Sequence, residues 1–179
     1  MTATTITIPH LETERMILRA PRLEDFDAWA AFYASARAKF VGGPQTPELT
    51  WRSLSGELGH WAMRGFGRWA LEEKSSGAVM GVVGLWFPEG FPEHELGWDL
   101  FDGFTGQGYA SEAALAARAY AYETLGWTTL ISLIADGNTG SEGVATRLGA
   151  APDGPFTHER WGTMTKWRHP GPDQLAGAA

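Results

Sequence analysis

The stretch Gly103–Ala114, "GFTGQGYASEAA", places glycines at 103, 106 and 108 directly ahead of an alanine-rich, helix-forming run. Glycine costs backbone entropy wherever it is ordered. Three in six residues at the mouth of a helix imply a special backbone path or a close approach by something else. The first turn of a helix also leaves its N–H groups without intrahelical partners. Such a segment suits an anion, and a phosphate in particular.

Two phosphate-binding patterns fail on these residues. A P-loop needs Lys and Ser/Thr after its last glycine, where Tyr109 and Ala110 stand. A dinucleotide fingerprint needs a third glycine, and Ser111 occupies that place. A plain glycine-rich turn between strand and helix stays open beside a diphosphate cradle built from the amides of residues 106–111.

The rest of the chain reads as alternating elements. "ERMILRA" (Glu14–Ala20) reads as a strand, and two amphipathic helices follow it. The first carries Leu23, Phe26, Ala30 and Tyr33 on one face. The second carries Trp51, Leu54, Leu58 and Trp61, with Pro47 in its first turn. Strands are expected at Gly67–Glu73, Ala78–Phe87 and His94–Phe101, as an antiparallel meander. A helix then runs from the glycines to Gly126. Thr128–Ala135 is almost continuously apolar, as in a strand buried on both faces. Asn138 caps a last helix that stops at Gly149, and "THERWGTMTKW" makes one or two final strands. This is an α/β chain with a mixed sheet in one domain, residues 1–169, followed by a flexible tail, 170–179.

Composition excludes several classes. The 179 residues contain no cysteine, so disulfides, thiolate nucleophiles and cysteine metal sites are ruled out. The net charge is −7 and no Lys/Arg run occurs, so nucleic acid is not an expected partner. No metal is expected, because His10, His60, His94, His158 and His169 show no ligand spacing. No apolar run approaches the ~20 residues of a membrane span. The start lacks the pattern of a secretion signal, and a cytoplasmic location is expected.

Gly106-Gln107-Gly108-Tyr109-Ala110, followed by Glu112-Ala113, resembles the acetyl-CoA diphosphate loop of the GNAT N-acetyltransferases. The closest resemblance is to the branch that acetylates ribosomal-protein N-termini. "LETERMILRAPRLEDFDAW", "HELGWDLFDGFTGQGYASEA" and "NTGSEGVATRLGA" resemble further blocks of that branch, in the same order, over residues 11–167. The resemblance implies a mostly antiparallel central sheet with one splayed parallel strand pair, flanked by helices. It implies acetyl-CoA as cosubstrate and an amine as acceptor, whether a peptide N-terminus, an amino acid or another small amine. It admits a homodimer, with no interface legible.

It also assigns residues. Asp99, Leu100 and Phe101 would offer main-chain bonds to the cofactor's arm. Gly106, Gln107, Gly108, Tyr109, Ala110 and Ser111 would hold its diphosphate, and Asn138 and Ser141 would face its sulfur. Glu95 is the first choice of general base, with Asp99 and His94 behind it. Ser141 is the candidate donor to the departing thiolate. Trp29, Phe40, Trp51, Trp61, Trp86 and Phe91 are candidates to line the acceptor site. Three positions depart from the family pattern. Gly103 stands where Arg or Gln is common, Ala145 where a Tyr often protonates the thiolate, and Ala150 where an aromatic follows "LG". These departures keep a second reading open, a catalytically silent acyl-CoA-binding module.

Overall fold

The computed structural model describes residues 5–177. Eight strands form one sheet in the order β1-β2-β3-β4-β5-β6-β8-β7. They are β1 (Leu11–Glu12), β2 (Met16–Arg19), β3 (Arg68–Glu73), β4 (Val79–Trp86), β5 (Glu95–Leu100), β6 (Ile131–Ala135), β7 (Ala151–His158) and β8 (Gly162–Arg168). Every neighbouring pair is antiparallel except β5 and β6, which are parallel. The mixed sheet expected from the sequence is the one observed.

Helices cover both faces. On one side lie α1 (Phe26–Ala34) and α2 (Pro47–Arg64). The Thr46 side chain accepts the Leu49 N–H at the start of α2, Pro47 fits its first turn, and Gly65 ends it in the left-handed region. Trp29, Phe32 and Leu54 pack there with Val82 and Phe101. On the other side α3 (Tyr109–Ala119) lays Ala110, Ala113, Ala114 and Ala117 against Val83, Leu85 and Leu96. Small side chains let this helix sit close to the strands, which brings its N-terminus to the end of β5. A π-helical turn, Tyr120–Thr124, leads out of it. α4 (Thr139–Arg147) follows β6 and is capped by Asn138.

Two segments go beyond the sequence reading. "APDGPF", to which the sequence reading gives no element, forms most of edge strand β7, where a missing proline N–H is tolerated. The segment after 169, expected to be a flexible tail, contains the short helix α5 (Pro172–Ala176), and Tyr122 Oη donates to the Pro170 carbonyl at 3.0 Å. No helix among the described residues is long and apolar enough to cross a membrane.

Candidate active site

The parallel ladder between β5 and β6 has one registered pair, Glu95 with Ile131. Where the strands part, side chains replace the missing ladder. Ser132 Oγ donates to the Leu96 carbonyl at 2.6 Å. The Glu95 carboxylate accepts the Leu133 N–H at 3.1 Å. Buried main-chain groups need partners, so these two plugs let the sheet open without orphaning them.

Alternation decides which amides face the opening. Phe101 N–H donates to the Met80 carbonyl at 2.8 Å, so Phe101 and, by parity, Asp99 serve β4. Trp98 and Leu100 turn toward the gap. Of the three residues assigned from the sequence, Asp99 and Phe101 have their amides committed to β4, whereas the Leu100 amide, with that of Trp98, faces the gap. Parity depends on the register, which no local motif reveals.

Beyond the gap lies a groove of about 570 Å³ lined by Trp98, Leu100, Gly106, Gly108, Ser111 and Arg147, among others. Its end is the glycine loop. Gly106 has φ 76° and Gly108 has φ 84°, left-handed values that other residues adopt with strain. Glu112 N–H bonds back to the Gly108 carbonyl at 3.1 Å. Among the described residues, no acceptor meets the N–H groups of Gly106 through Ser111. These open amides at the head of α3 fit a diphosphate. Gln107 and Tyr109 add nothing more than amides. The Gln107 side chain donates to the Gly103 carbonyl at 2.8 Å, and Tyr109 Oη donates to Glu73 at 2.7 Å.

Arg15 holds this loop, and no local pattern in the chain marks it. It donates to the Gln107 carbonyl at 2.9 Å and through Nε to Glu112 at 2.8 Å, and its guanidinium lies 4.1 Å from the Tyr109 ring centre. The partners are about ninety positions away in sequence, and a single arginine carries no spacing signal.

A second cavity, about 460 Å³, opens on the other side of β5. The two cavities share Phe40, Val41, Trp98, Asp99, Asn138 and Ser141. Phe40, Trp86 and Phe91 line the second one. Trp29 and Trp61 belong to the core instead, and Trp51 is half exposed against Phe26.

The floor of this cavity is a charged network. Arg68 donates to Asp99 at 3.0 Å and through Nε to Glu57 at 3.2 Å, with a further bond from Nη2 to Glu57. Tyr33 Oη donates to Asp99 at 3.5 Å. Burial pushes the Glu57 and Asp99 carboxyls up, and the Arg68 guanidinium opposes that. Two carboxylates share one guanidinium, which leaves excess negative charge. Asp99, tied in this way, is not a free base. His94 stacks on Trp127 at 4.0 Å and lines neither cavity.

Glu95 lines the second cavity beside the junction. Burial pushes its carboxyl up to about 7, against the hydrogen bond from Leu133. That value suits a group that gains and loses protons near neutrality. Ser141 Oγ accepts from the Trp98 indole at 3.2 Å, which leaves its own proton to donate. Asn138 fixes the backbone there, because its Oδ1 accepts the Ser141 N–H at 3.3 Å. Ala145 is fully buried with Ile134 and Ala150 and offers no hydroxyl.

A family model described as an acetyltransferase (GNAT) domain matches residues 15–151. The crystal structure of an acetyltransferase from Agrobacterium tumefaciens is 36% identical, covers 94% of this chain and 98% of its own, and superimposes with a TM-score of 0.84. Ribosomal-protein-S5-alanine acetyltransferase from Vibrio fischeri is 16% identical over 93% of this chain and 99% of its own, with a TM-score of 0.70. A ribosomal L7/L12 alpha-N-protein acetyltransferase in complex with coenzyme A is 16% identical over 88% of this chain and 94% of its own, with a TM-score of 0.72. The last two likenesses speak to the fold alone.

Proposed function

The chain belongs to the GNAT acetyltransferase family, and on that premise we propose that it acetylates a primary amine by direct attack within a ternary complex. Its cosubstrate is acetyl-CoA, which supplies an activated acetyl thioester. The observation that carries the acceptor assignment is the junction of the two cavities at Trp98, Asp99, Asn138 and Ser141. A ligand gripped by the glycine loop and an amine entering from the other side meet there.

The residues divide the chemistry. The amides of Gly106 to Ser111 hold the diphosphate. Trp98 and Leu100, on the open edge of β5, offer main-chain donors to the arm and to the oxygen that gains charge during attack. Glu95 takes the proton from the incoming ammonium. A free alkylammonium has a pKa of ~10, so a base near 7 leaves about 4 kcal/mol to be found from positioning and from trapping of the neutral amine. Ser141 donates to the sulfur as it leaves. A thiolate of pKa ~8.5 needs that help only in part, which fits a hydroxyl rather than a stronger acid.

The test combines titration calorimetry of acetyl-CoA with detection of free thiol against a panel of amines. Binding together with thiol release is expected. No heat of binding at millimolar acetyl-CoA would sink the assignment.

A further inference from the structure

Building on the reading of this chain as an amine acetyltransferase, we propose that its acceptor is a small primary amine bearing a carboxylate, which Arg52 and Arg160 hold at the mouth of the cavity. The second cavity is polarised along its length. Its inner end carries Glu57 and Asp99 around a single Arg68, with Glu95 beside them. That end attracts an ammonium group. Arg52, on α2, and Arg160, at the tip of the β7–β8 hairpin, line the same cavity and carry the opposite sign.

Of the other arginines lining this cavity and the groove, Arg68 is matched by two carboxylates and Arg37 by Asp102, and Arg147 donates to the Ser111 hydroxyl beside the glycine loop. Among the described residues, neither Arg52 nor Arg160 meets a carboxylate. In a chain of net charge −7, unmatched guanidinium groups converging on one cavity are a local feature. A guanidinium fork matches a carboxylate in shape as well as charge.

The hairpin tip is held in position. Arg160 N–H donates to His158 Nδ1 at 3.1 Å, and the Arg160 guanidinium lies 5.1 Å from the Trp161 ring centre. The Trp161 ring presses on Gly42, where an added Cβ would lie 2.7 Å from it. The hairpin therefore reaches across to the loop after α1 and carries Arg160 with it. A cavity of about 460 Å³ has the size of a small-molecule site. A polyamine would satisfy its inner end and set its second charge against the arginines. An amino acid or a short acidic peptide satisfies both ends.

The experiment measures kcat/KM by thiol release for L-aspartate, L-glutamate and a series of ω-amino acids. Each is paired with its carboxamide, and diaminoalkanes serve as the dicationic control. At least one acid is expected to exceed its amide by about tenfold or more. The Arg52→Gln/Arg160→Gln double variant is expected to reduce that ratio about ten- to hundredfold, the scale of a charge-assisted pair. Equal rates for acids and amides, a preference for diamines, or an undiminished ratio in the double variant would each overturn the proposal while leaving the transferase reading intact. Thiol release from no amine at all would remove the transferase reading, and this proposal with it.

Discussion

Leu133 N–H donates to the Glu95 carboxylate at 3.1 Å across the point where β5 and β6 part. The same carboxyl lines the second cavity, proposed above for the acceptor, and is pushed up to about 7 by burial. One group props the strands apart and is the one we propose as the proton acceptor.

Glu95→Gln keeps an oxygen for Leu133 and loses the proton site, so turnover is expected to fall about 10²–10⁴-fold. In the wild type, kcat/KM should climb with pH through about 7, and the variant should lose that limb. Initial rates across the neutral range check both. Stability moves the other way. A carboxyl whose folded pKa is raised stabilises fully below its unfolded pKa, and that contribution is lost as pH rises through about 7. The variant should therefore melt a few degrees above the wild type at mildly alkaline pH.

Gly106→Ala and Gly108→Ala force a side chain into left-handed backbone, at a cost of about 1–2 kcal/mol each. The amides shift, and acetyl-CoA affinity is expected to drop about tenfold. Calorimetry reads the loss. The KM for the amine should change less than the cosubstrate affinity, because neither glycine lines the acceptor cavity.

Arg15→Ala removes the bonds to Gln107 and Glu112 together. The loop is then no longer held in the binding shape before the ligand arrives, and acetyl-CoA affinity is expected to fall roughly tenfold. Turnover at saturating cosubstrate should stay near normal. Glu112→Gln should reproduce part of the affinity loss.

Ser141→Ala takes away the hydroxyl that faces the junction. Turnover is expected to fall by about tenfold, the worth of one hydrogen bond to a group gaining charge. Trp98→Phe, which leaves Ser141 unanchored, should show a smaller drop in the same direction. Steady-state kinetics at saturating acetyl-CoA separate these effects from binding.

His169 governs acid stability. Its imidazole is buried, bonded through Nε2 to Ser132 at 2.9 Å, and Nδ1 has no partner. Burial first, and then the Arg118 charge, push its pKa down to about 3. A lowered histidine contributes stability that is fully present above the unfolded value of ~6.5 and is lost as pH falls toward the folded value. The slope is about 1.4 kcal/mol per pH unit. Urea unfolding below pH 6.5 should show that slope, and His169→Gln should flatten it while lowering stability at neutral pH.

Local signals in the sequence were strong where one segment contained its own reason. The glycines at 106 and 108, the Asn138 cap and the Pro47 start all sit beside the element they punctuate. The left-handed glycine turn ahead of α3 was legible for the same reason. The Arg68 network was not, because Glu57, Arg68 and Asp99 come from three elements and form no motif in the chain. Trp98 was missed by one step of strand parity. The first part of β7 carried no strand signal, because it holds two prolines and a glycine that only its position at the sheet edge makes tolerable.

The plugs supplied by Glu95 and Ser132 have a consequence for the timing of catalysis. Nothing needs to be unzipped when the thioester arrives, because the slot between the strands exists beforehand, with the Leu96 carbonyl and the Leu133 N–H already paired and the β5 edge beyond them open. Loading of the nucleotide end should therefore be fast and set by diffusion and loop fit, with no slow isomerisation of the sheet ahead of it.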